Sequence, residues 1–402
     1  MPLTAAVGAT AAYLGALTVA GLVAGRRRTA SASAPSTRFA VLVPAHDEEA
    51  VIAQSVASMV AIDYPAELFS VHVVADNCRD RTVQYATQAG ARVHVRVAPD
   101  DPGKGAALNW LHDRLVGAQA PVDAFVIVDA DTIVDPGFLR AMDRAVQAGA
   151  AAAQGFYDVR DPASSPAASL RAAALACRHH LRPLGRTALG ASCGLYGNGM
   201  AFTSAVLAEH RWTGHLTEDL EMQVALLLDG RSVAYVPDAR VAAEMPDTLE
   251  ASVTQHQRWE AGRAQVLRTE LPRLLGALRR GEGSRLAVAD TAADLLVPPL
   301  SVLVAAQAAA GAASAVAYVL APSRARRAVL AVNVAASAVV VGHVFAGLRS
   351  VGAPASTYRA LASAPRMVLW KLGLWRRVVA DGDDVAWTRT ARNAPTPAGA
   401  QP

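Results

Sequence analysis

Two aspartates, Asp129 and Asp131, stand one residue apart at the end of an apolar run, Phe125 to Val128. The run is short enough to be a buried strand. A carboxylate pair at the carboxyl end of such a strand is where an α/β fold can hold a divalent cation on a diphosphate. Oxygen ligands of this kind suit Mg²⁺ or Mn²⁺, which keep waters and share substrate phosphates. An Asp-x-Asp triplet alone has little force, because Asp commonly opens the turn after a strand. Its weight comes from two clusters further along the chain, Thr217-Glu218-Asp219 and Gln255-His256-Gln257-Arg258-Trp259. These add a carboxylate pair able to take a proton, a guanidinium and an indole to the same set.

Such residues need a scaffold that brings them to one edge. Apolar, β-branched runs at 39–43, 71–75, 92–97 and 124–128 predict strands, and helical stretches are expected at about 49–60, 80–90 and 104–117. Alternation of this type, from Phe39 to about Gly262, predicts an α/β fold with a mostly parallel, Rossmann-like sheet. In such a sheet ligands lie beyond the carboxyl ends of the strands. Three further clusters fall at those ends. Val43-Pro44-Ala45-His46-Asp47-Glu48-Glu49 follows the first strand, Asp76-Asn77-Cys78 ends the second, and Gly103-Lys104-Gly105 opens a helix after the third.

Composition places this domain at a membrane. Of 402 residues, 52% are hydrophobic and 18% charged, too apolar for an ordinary soluble enzyme and too polar for a polytopic transporter. Residues 3–24 are apolar and uncharged, followed at once by Arg26-Arg27-Arg28, which predicts an N-terminal anchor within 1–28 and a cytoplasmic domain after it. A cleaved signal is the alternative. Residues 29–37 read as a linker, 38–262 as the catalytic domain, and 263–294 as a basic interfacial segment. Two apolar stretches within 295–348 predict a transmembrane hairpin, and 349–402 an amphipathic interfacial helix and tail. The three-span topology leaves Arg324, Arg326 and Arg327 on the outside, against a larger number of basic residues on the inner flanks. Net charge is +4, lysine occurs only at Lys104 and Lys371, and aromatics make up 5%; no basic–aromatic strip suited to nucleic acid is present. Cys78, Cys177 and Cys193 form no close pairs in sequence, which argues against a disulfide framework or zinc site.

In this order and spacing, the five clusters resemble the family 2 glycosyltransferases of GT-A fold, particularly the membrane-bound bacterial exopolysaccharide branch. Ala75-Asp76-Asn77-Cys78 and the tail Trp387-Thr388-Arg389-Thr390 carry the likeness to that branch. The resemblance implies an inverting, metal-dependent transfer from a nucleotide-diphosphate sugar, UDP-linked by default, with Mg²⁺ or Mn²⁺ as cofactor. It implies Glu48 and Asp76 at the nucleotide base, Lys104 near the nucleotide, Asp129 at the ribose and Asp131 on the metal. It also implies Asp219 as the general base, Gln255 and Arg258 on the diphosphate, and Trp259 under the acceptor sugar, with Glu218 beside the acceptor as the rival base. Two positions depart from the usual pattern: Asp47 stands where Asn precedes the first Glu, and His256 stands where Gln or Arg is commoner.

Plainer roles are available for several of these residues. Asp76 could be a turn residue, Asp219 a helix cap and Trp259 core packing. His179, His180 and His215 lack spaced partners, so packing or surface roles are expected for them. Gly197-Asn198-Gly199 predicts a tight turn near the acceptor. The expected acceptor is a saccharide, free or polyprenyl-linked, at the inner leaflet of the cell membrane. One or a few additions, with hand-over to a flippase, is the leading expectation, and a processive synthase is the alternative. A nucleotidylyltransferase or an inactive membrane scaffold are the readings from other classes.

Overall fold

The computed structural model describes residues 2–25, 34–118, 121–215, 217–245 and 253–381, without the side chains of 254–256, 258–259 and 374–381. Arg26 to Arg28, most of the 29–37 linker and the Trp387 to Thr390 tail therefore lie outside the described residues.

Eight strands form one sheet in the order β3-β2-β1-β4-β7-β6-β8-β5. They are β1 (Phe39–Ala45), β2 (Phe69–Asp76), β3 (Arg92–Arg96), β4 (Ala124–Ile127), β5 (Thr132–Val134), β6 (Ala152–Val159), β7 (Met200–Thr203) and β8 (Val233–Ala243). The pairs β1–β2, β1–β4, β2–β3 and β6–β8 are parallel. The pairs β4–β7, β6–β7 and β5–β8 are antiparallel. The four strands read from sequence are β1 to β4. They are recognisable because both faces of their sheet are covered, so β1 and β4 run as continuous buried apolar stretches. The remaining four escaped that reading. β6 and β8 carry Gln154, Asp158, Asp238 and Arg240, which interrupt the apolar pattern.

The first helices are α1 (Pro2–Ala24), α2 (Ile52–Val60), α3 (Thr82–Gln88), α4 (Lys104–Gly117) and α5 (Phe138–Gln147). One sheet face buries Ile52, Val56 and Met59 of α2 and Phe138, Leu139 and Met142 of α5. The other buries Leu108, Leu111 and Leu115 of α4. Three more helices come next, α6 (Pro166–Leu175), α7 (Arg182–Ala188) and α8 (Ser204–Glu209), with a π-helical segment, Ala176–Leu181, between the first two. α9 (Glu218–Leu228), α10 (Val253–Arg280) and α11 (Arg285–Leu296) then share a small core of Val224, Val266, Leu274, Val288 and Leu295. α10 runs unbroken from Val253 past residue 262.

Helices α1, α12 (Leu300–Leu320) and α13 (Arg324–Ser350) are long and apolar enough to cross a membrane. They meet through Ala11, Leu14, Leu303, Ala336 and Val340. The sheet domain grips this bundle closely: a Cβ on Gly185 of α7 would sit 2.2 Å from the Leu17 carbonyl oxygen of α1. Only glycine permits that approach. The last of the described helices are α14 (Ala355–Ala360) and α15 (Ala364–Asp381).

Candidate active site

The chemistry-bearing residues gather at the carboxyl ends of β1, β2 and β4. After β1 and β2, two loops are knitted together. The His46 ring nitrogen Nδ1 meets the Asp76 carbonyl oxygen at 2.7 Å, and the Arg79 amide donates to Asp47 Oδ1 at 2.7 Å. Asp47 and Asn77 take the left-handed backbone conformation, with φ of 53° and 52°. Asn and Asp are the non-glycine residues that tolerate it best. Glu48 is buried, and its backbone amide donates to the Thr82 hydroxyl oxygen at 2.7 Å. Asp76 is also buried, and its carboxylate accepts from Arg96 Nη1 at 2.6 Å. Arg96, which donates from Nη2 to Asp101 at 2.6 Å, is a site-shaping residue the sequence reading missed.

The second cluster centres on Lys104 at the start of α4. Its ammonium donates to Asp129 Oδ1 and to the Gly197 carbonyl oxygen, both at 2.6 Å, and lies 3.9 Å from Glu218 Oε1. Asp219, next in the chain, has an oxygen 3.5 Å from where a Gly197 Cβ would be. The structure thus brings Lys104, Asp129, Gly197 and the Glu218–Asp219 pair together from four separate chain segments. Asp131 lies two residues beyond Asp129, with Thr132 Oγ1 3.3 Å from its carboxylate.

The expected turn at Gly197-Asn198-Gly199 is present, and its work is more specific than a bend. Gly197 and Gly199 have positive φ, 77° and 67°. Asn198, fully buried, accepts from the Asp129 amide at 3.2 Å and donates to Thr132 Oγ1 at 2.8 Å. Gln154 of β6 donates to the Asn198 carbonyl at 2.8 Å and accepts from the Tyr196 amide at 2.9 Å. The Asp129–Asp131 loop is therefore pinned by the glycine turn on one side and by Lys104 on the other.

Electrostatics reflect this crowding. Burial pushes Glu218 up to about 7; Lys104 opposes the shift and the neighbouring Asp219 adds to it. Burial also raises Asp219, against the pull of Lys104 and of the Leu220 amide, which donates to its carboxylate at 2.9 Å. Lys104 is raised: burial works against its charge, and Asp129 and Glu218 outweigh burial. Asp219 thus bonds the first turn of α9 and faces the cluster at once.

Among the described residues, two groups offer three metal-ligand atoms together, Asp47–Cys78–Asp80 and Glu209–His210–Asp229, and neither includes Asp131. A cation on Asp131 would therefore take most of its ligands from a diphosphate and water. That fits a hard, oxygen-seeking ion such as Mg²⁺ or Mn²⁺ better than a metal held by the protein alone. Gln255, His256, Arg258 and Trp259 fall in the first turns of α10, and their side chains are outside the described residues. His179 and His180 are buried in aromatic packing, against Tyr157, Tyr196 and Phe156. His215 meets Glu221 at 2.7 Å.

The model of the glycosyltransferase-like family 2 matches residues 35–262. The chain belongs to that family. Its sheet with strand-end carboxylates is the GT-A fold. Among curated family relatives, the beta-monoglucosyldiacylglycerol synthase of Synechocystis is 29% identical, over 58% of this chain and 49% of that protein. The probable glycosyltransferase YdaM of Bacillus subtilis is 25% identical, over 57% of this chain and 56% of its own length. The chain thus spans about half the length of the curated relatives it matches. The fold also matches the mannosyltransferase PcManGT of Pyrobaculum calidifontis, solved with GDP-Man and Mn²⁺. That match has a TM-score of 0.50 at 20% identity and covers 85% of this chain and 98% of that one. At that identity the likeness concerns the fold alone.

Proposed function

We propose that this family 2 member is a membrane-anchored, inverting glycosyltransferase. It moves a hexosyl or N-acetylhexosaminyl group from a nucleotide-diphosphate sugar to a saccharide, free or lipid-linked, in cell-envelope or exopolysaccharide synthesis. The observation that carries the reading is the convergence on Lys104, which ties the strand-end Asp129 to Gly197 and to the Glu218–Asp219 helix start. Glu48 and Asp76 border the nucleotide base, Asp129 approaches the ribose, and Lys104 holds Asp129 in place. Asp131 holds Mg²⁺ or Mn²⁺, which when bound offsets the charge growing on the departing diphosphate. Gln255 and Arg258 steady that diphosphate, and Trp259 lies under the acceptor.

The transfer itself needs one base. Asp219 takes the proton of the acceptor hydroxyl as its oxygen bonds to the anomeric carbon and the bond to the diphosphate oxygen breaks. A positioned carboxylate of this kind contributes roughly 10²–10⁴ in rate. A single displacement inverts the anomeric centre, and Glu218 lies alongside the acceptor hydroxyl. The three apolar helices set the domain at the inner face of the cell membrane, where two spans after the domain suit one or a few additions with hand-over to a separate flippase. UDP-sugars are the favoured donors.

The test is nucleoside-diphosphate release by membranes containing the chain, across UDP- and GDP-sugars with Mn²⁺ or Mg²⁺. Release with one donor is expected, abolished by chelation and by Asp219→Asn. Release that persists in Asp219→Asn would remove Asp219 from the role of base, and absence of both release and metal-dependent nucleotide binding would sink the enzyme reading.

A further inference from the structure

The chain has two lysines, Lys104 and Lys371. Lys104 stands in the candidate active site. Lys371 lies far along the chain in α15, where its ammonium meets Glu260 Oε1 of α10 at 3.3 Å. Both side chains are nearly shut off from water, 13% and 6% exposed. Neither has another hydrogen-bond or ion-pair partner among the described residues. For a helix in water α15 is inside out: Leu369 and Leu372 are exposed, and the ammonium between them is turned in. Leucines on the outer side suit a lipid interface.

Glu260 is the residue after Trp259, in the first turns of α10 that also carry Gln255 and Arg258. Further along, α10 is held by other means. Val266 and Leu274 lie in the core shared with α9 and α11, and Arg263 donates to the Leu295 carbonyl oxygen at 2.7 Å. Ahead of Val266, no described residue of α10 belongs to that core. The buried carboxylate at 260 is met from α15 instead. Two residues turn an α-helix by roughly 200°, so position 258 falls on the side of α10 opposite position 260. α15 therefore backs the turn from behind. A buried carboxylate or ammonium is costly without its counter-ion. Burial pulls the Lys371 ammonium down, Arg171 and Arg178 act in the same direction, and Glu260 opposes them. With one partner each, the two charges are satisfied in a single register of α15 on α10.

We propose that Lys371 is a positioning residue: through Glu260 it holds the first turns of α10 in register, and so sets the place of Gln255 and Arg258 against the donor diphosphate. The inference rests on the glycosyltransferase reading for what those two residues do. The clamp itself does not depend on that reading. It brings α15, which lies beyond the matched residues 35–262, into the machinery of the transfer. A compact ammonium on a flexible stem suits such a seat, whereas the planar fork of an arginine would need a wider one.

The test uses the full chain in detergent with Mn²⁺, and compares Lys371→Met, Lys371→Arg and Glu260→Gln with the wild type. In Lys371→Met, amide hydrogen exchange over residues 253–262 should speed up about tenfold or more, with the amides of β1, β2 and β4 unchanged. UDP affinity should fall about tenfold, the loss of one charge-assisted contact. UMP, which lacks the second phosphate, should bind within about twofold of the wild type. GDP and GMP serve as the parallel pair. Lys371→Arg should recover both readouts in part. Glu260→Gln should repeat the pattern at smaller size, and it decides the matter where Lys371→Met does not fold. Unchanged exchange over 253–262 would overturn the clamp. An equal loss of UDP and UMP, with exchange rising across the sheet, would reduce the pair to a structural contact. If neither UDP nor GDP binds the wild type, the glycosyltransferase reading fails, and the exchange result still decides the clamp by itself.

Discussion

At the scale of single residues, the site works by crowding carboxylates around one lysine. Glu218 and Asp219 are adjacent in sequence, both raised by burial, with Lys104 restraining both. For a base this is useful, because a carboxylate raised toward neutrality holds an accepted proton better than an ordinary Asp. One substitution has a sign fixed by this arrangement. Lys104→Met removes the restraint, so the acid limb of kcat/KM should move to higher pH while nucleotide affinity falls. A pH–rate profile of the two proteins checks it; identical limbs would show that the pair does not govern the rate. Stability bears the opposite sign. Glu218 ionises at about 7 in the folded chain against 4.5 ordinarily, so its contribution is fully present below pH 4.5 and lost as pH rises through 7. Glu218→Gln should therefore flatten the fall in stability over that window, as denaturant titration at pH 5 and pH 8 would read.

At the scale of elements, what matters is how the Asp129–Asp131 loop is held. Its pins come from β6 through Gln154, from the turn before β7 through Asn198, and from α4 through Lys104. Asn198→Ala would leave the Asp129 amide and the Thr132 hydroxyl without their buried partner, at a cost of about 1–3 kcal/mol. It should lower metal-dependent nucleotide binding along with thermal stability, and unchanged nucleotide binding would show the loop is held by other means. This division explains what the sequence disclosed. Asp76, Asp129, Lys104 and Asp219 were legible because each stands at a strand end or helix start marked by an apolar run or a glycine. Gln154 and Arg96 were not, because a polar residue in a strand looks the same whether it braces a loop or meets solvent. β7 was hidden for a related reason: four residues, Met200–Thr203, carry no periodicity, and only the antiparallel pairing with β4 and β6 defines them.

At the scale of the whole molecule, the sheet domain and the membrane helices are one packed body. The Tyr13 hydroxyl of α1 donates to Asp290 at 2.9 Å, Gly185 lies against the Leu17 backbone, and Cys177 Sγ is 2.9 Å from where a Gly347 Cβ of α13 would be. At this junction Arg182 and Arg186 of α7 pair with Asp290 and Asp294 of α11, with Arg186 almost wholly out of water. The spacing of four residues on both helices is present in the sequence, yet nothing in the sequence says that the two stripes face each other. Arg186 is buried and Asp294 is only partly so, its side chain 23% exposed, so removing the carboxylate costs more than an exposed pair would: Asp294→Asn should destabilise the protein by about 3 kcal/mol. Arg182 and Arg186 hold Asp294 well below the usual carboxylate range despite its partial burial. Its contribution is therefore present above the ordinary Asp range, near pH 4, and lost as pH falls below it. The wild type should lose stability in acid more steeply than Asp294→Asn, measured by denaturant unfolding in detergent between pH 6 and pH 3. If α1 were merely a tether, the variant would release the anchor from the domain and leave the domain's own unfolding unchanged. A cooperative loss across both parts is the result expected of a catalytic domain built onto its anchor.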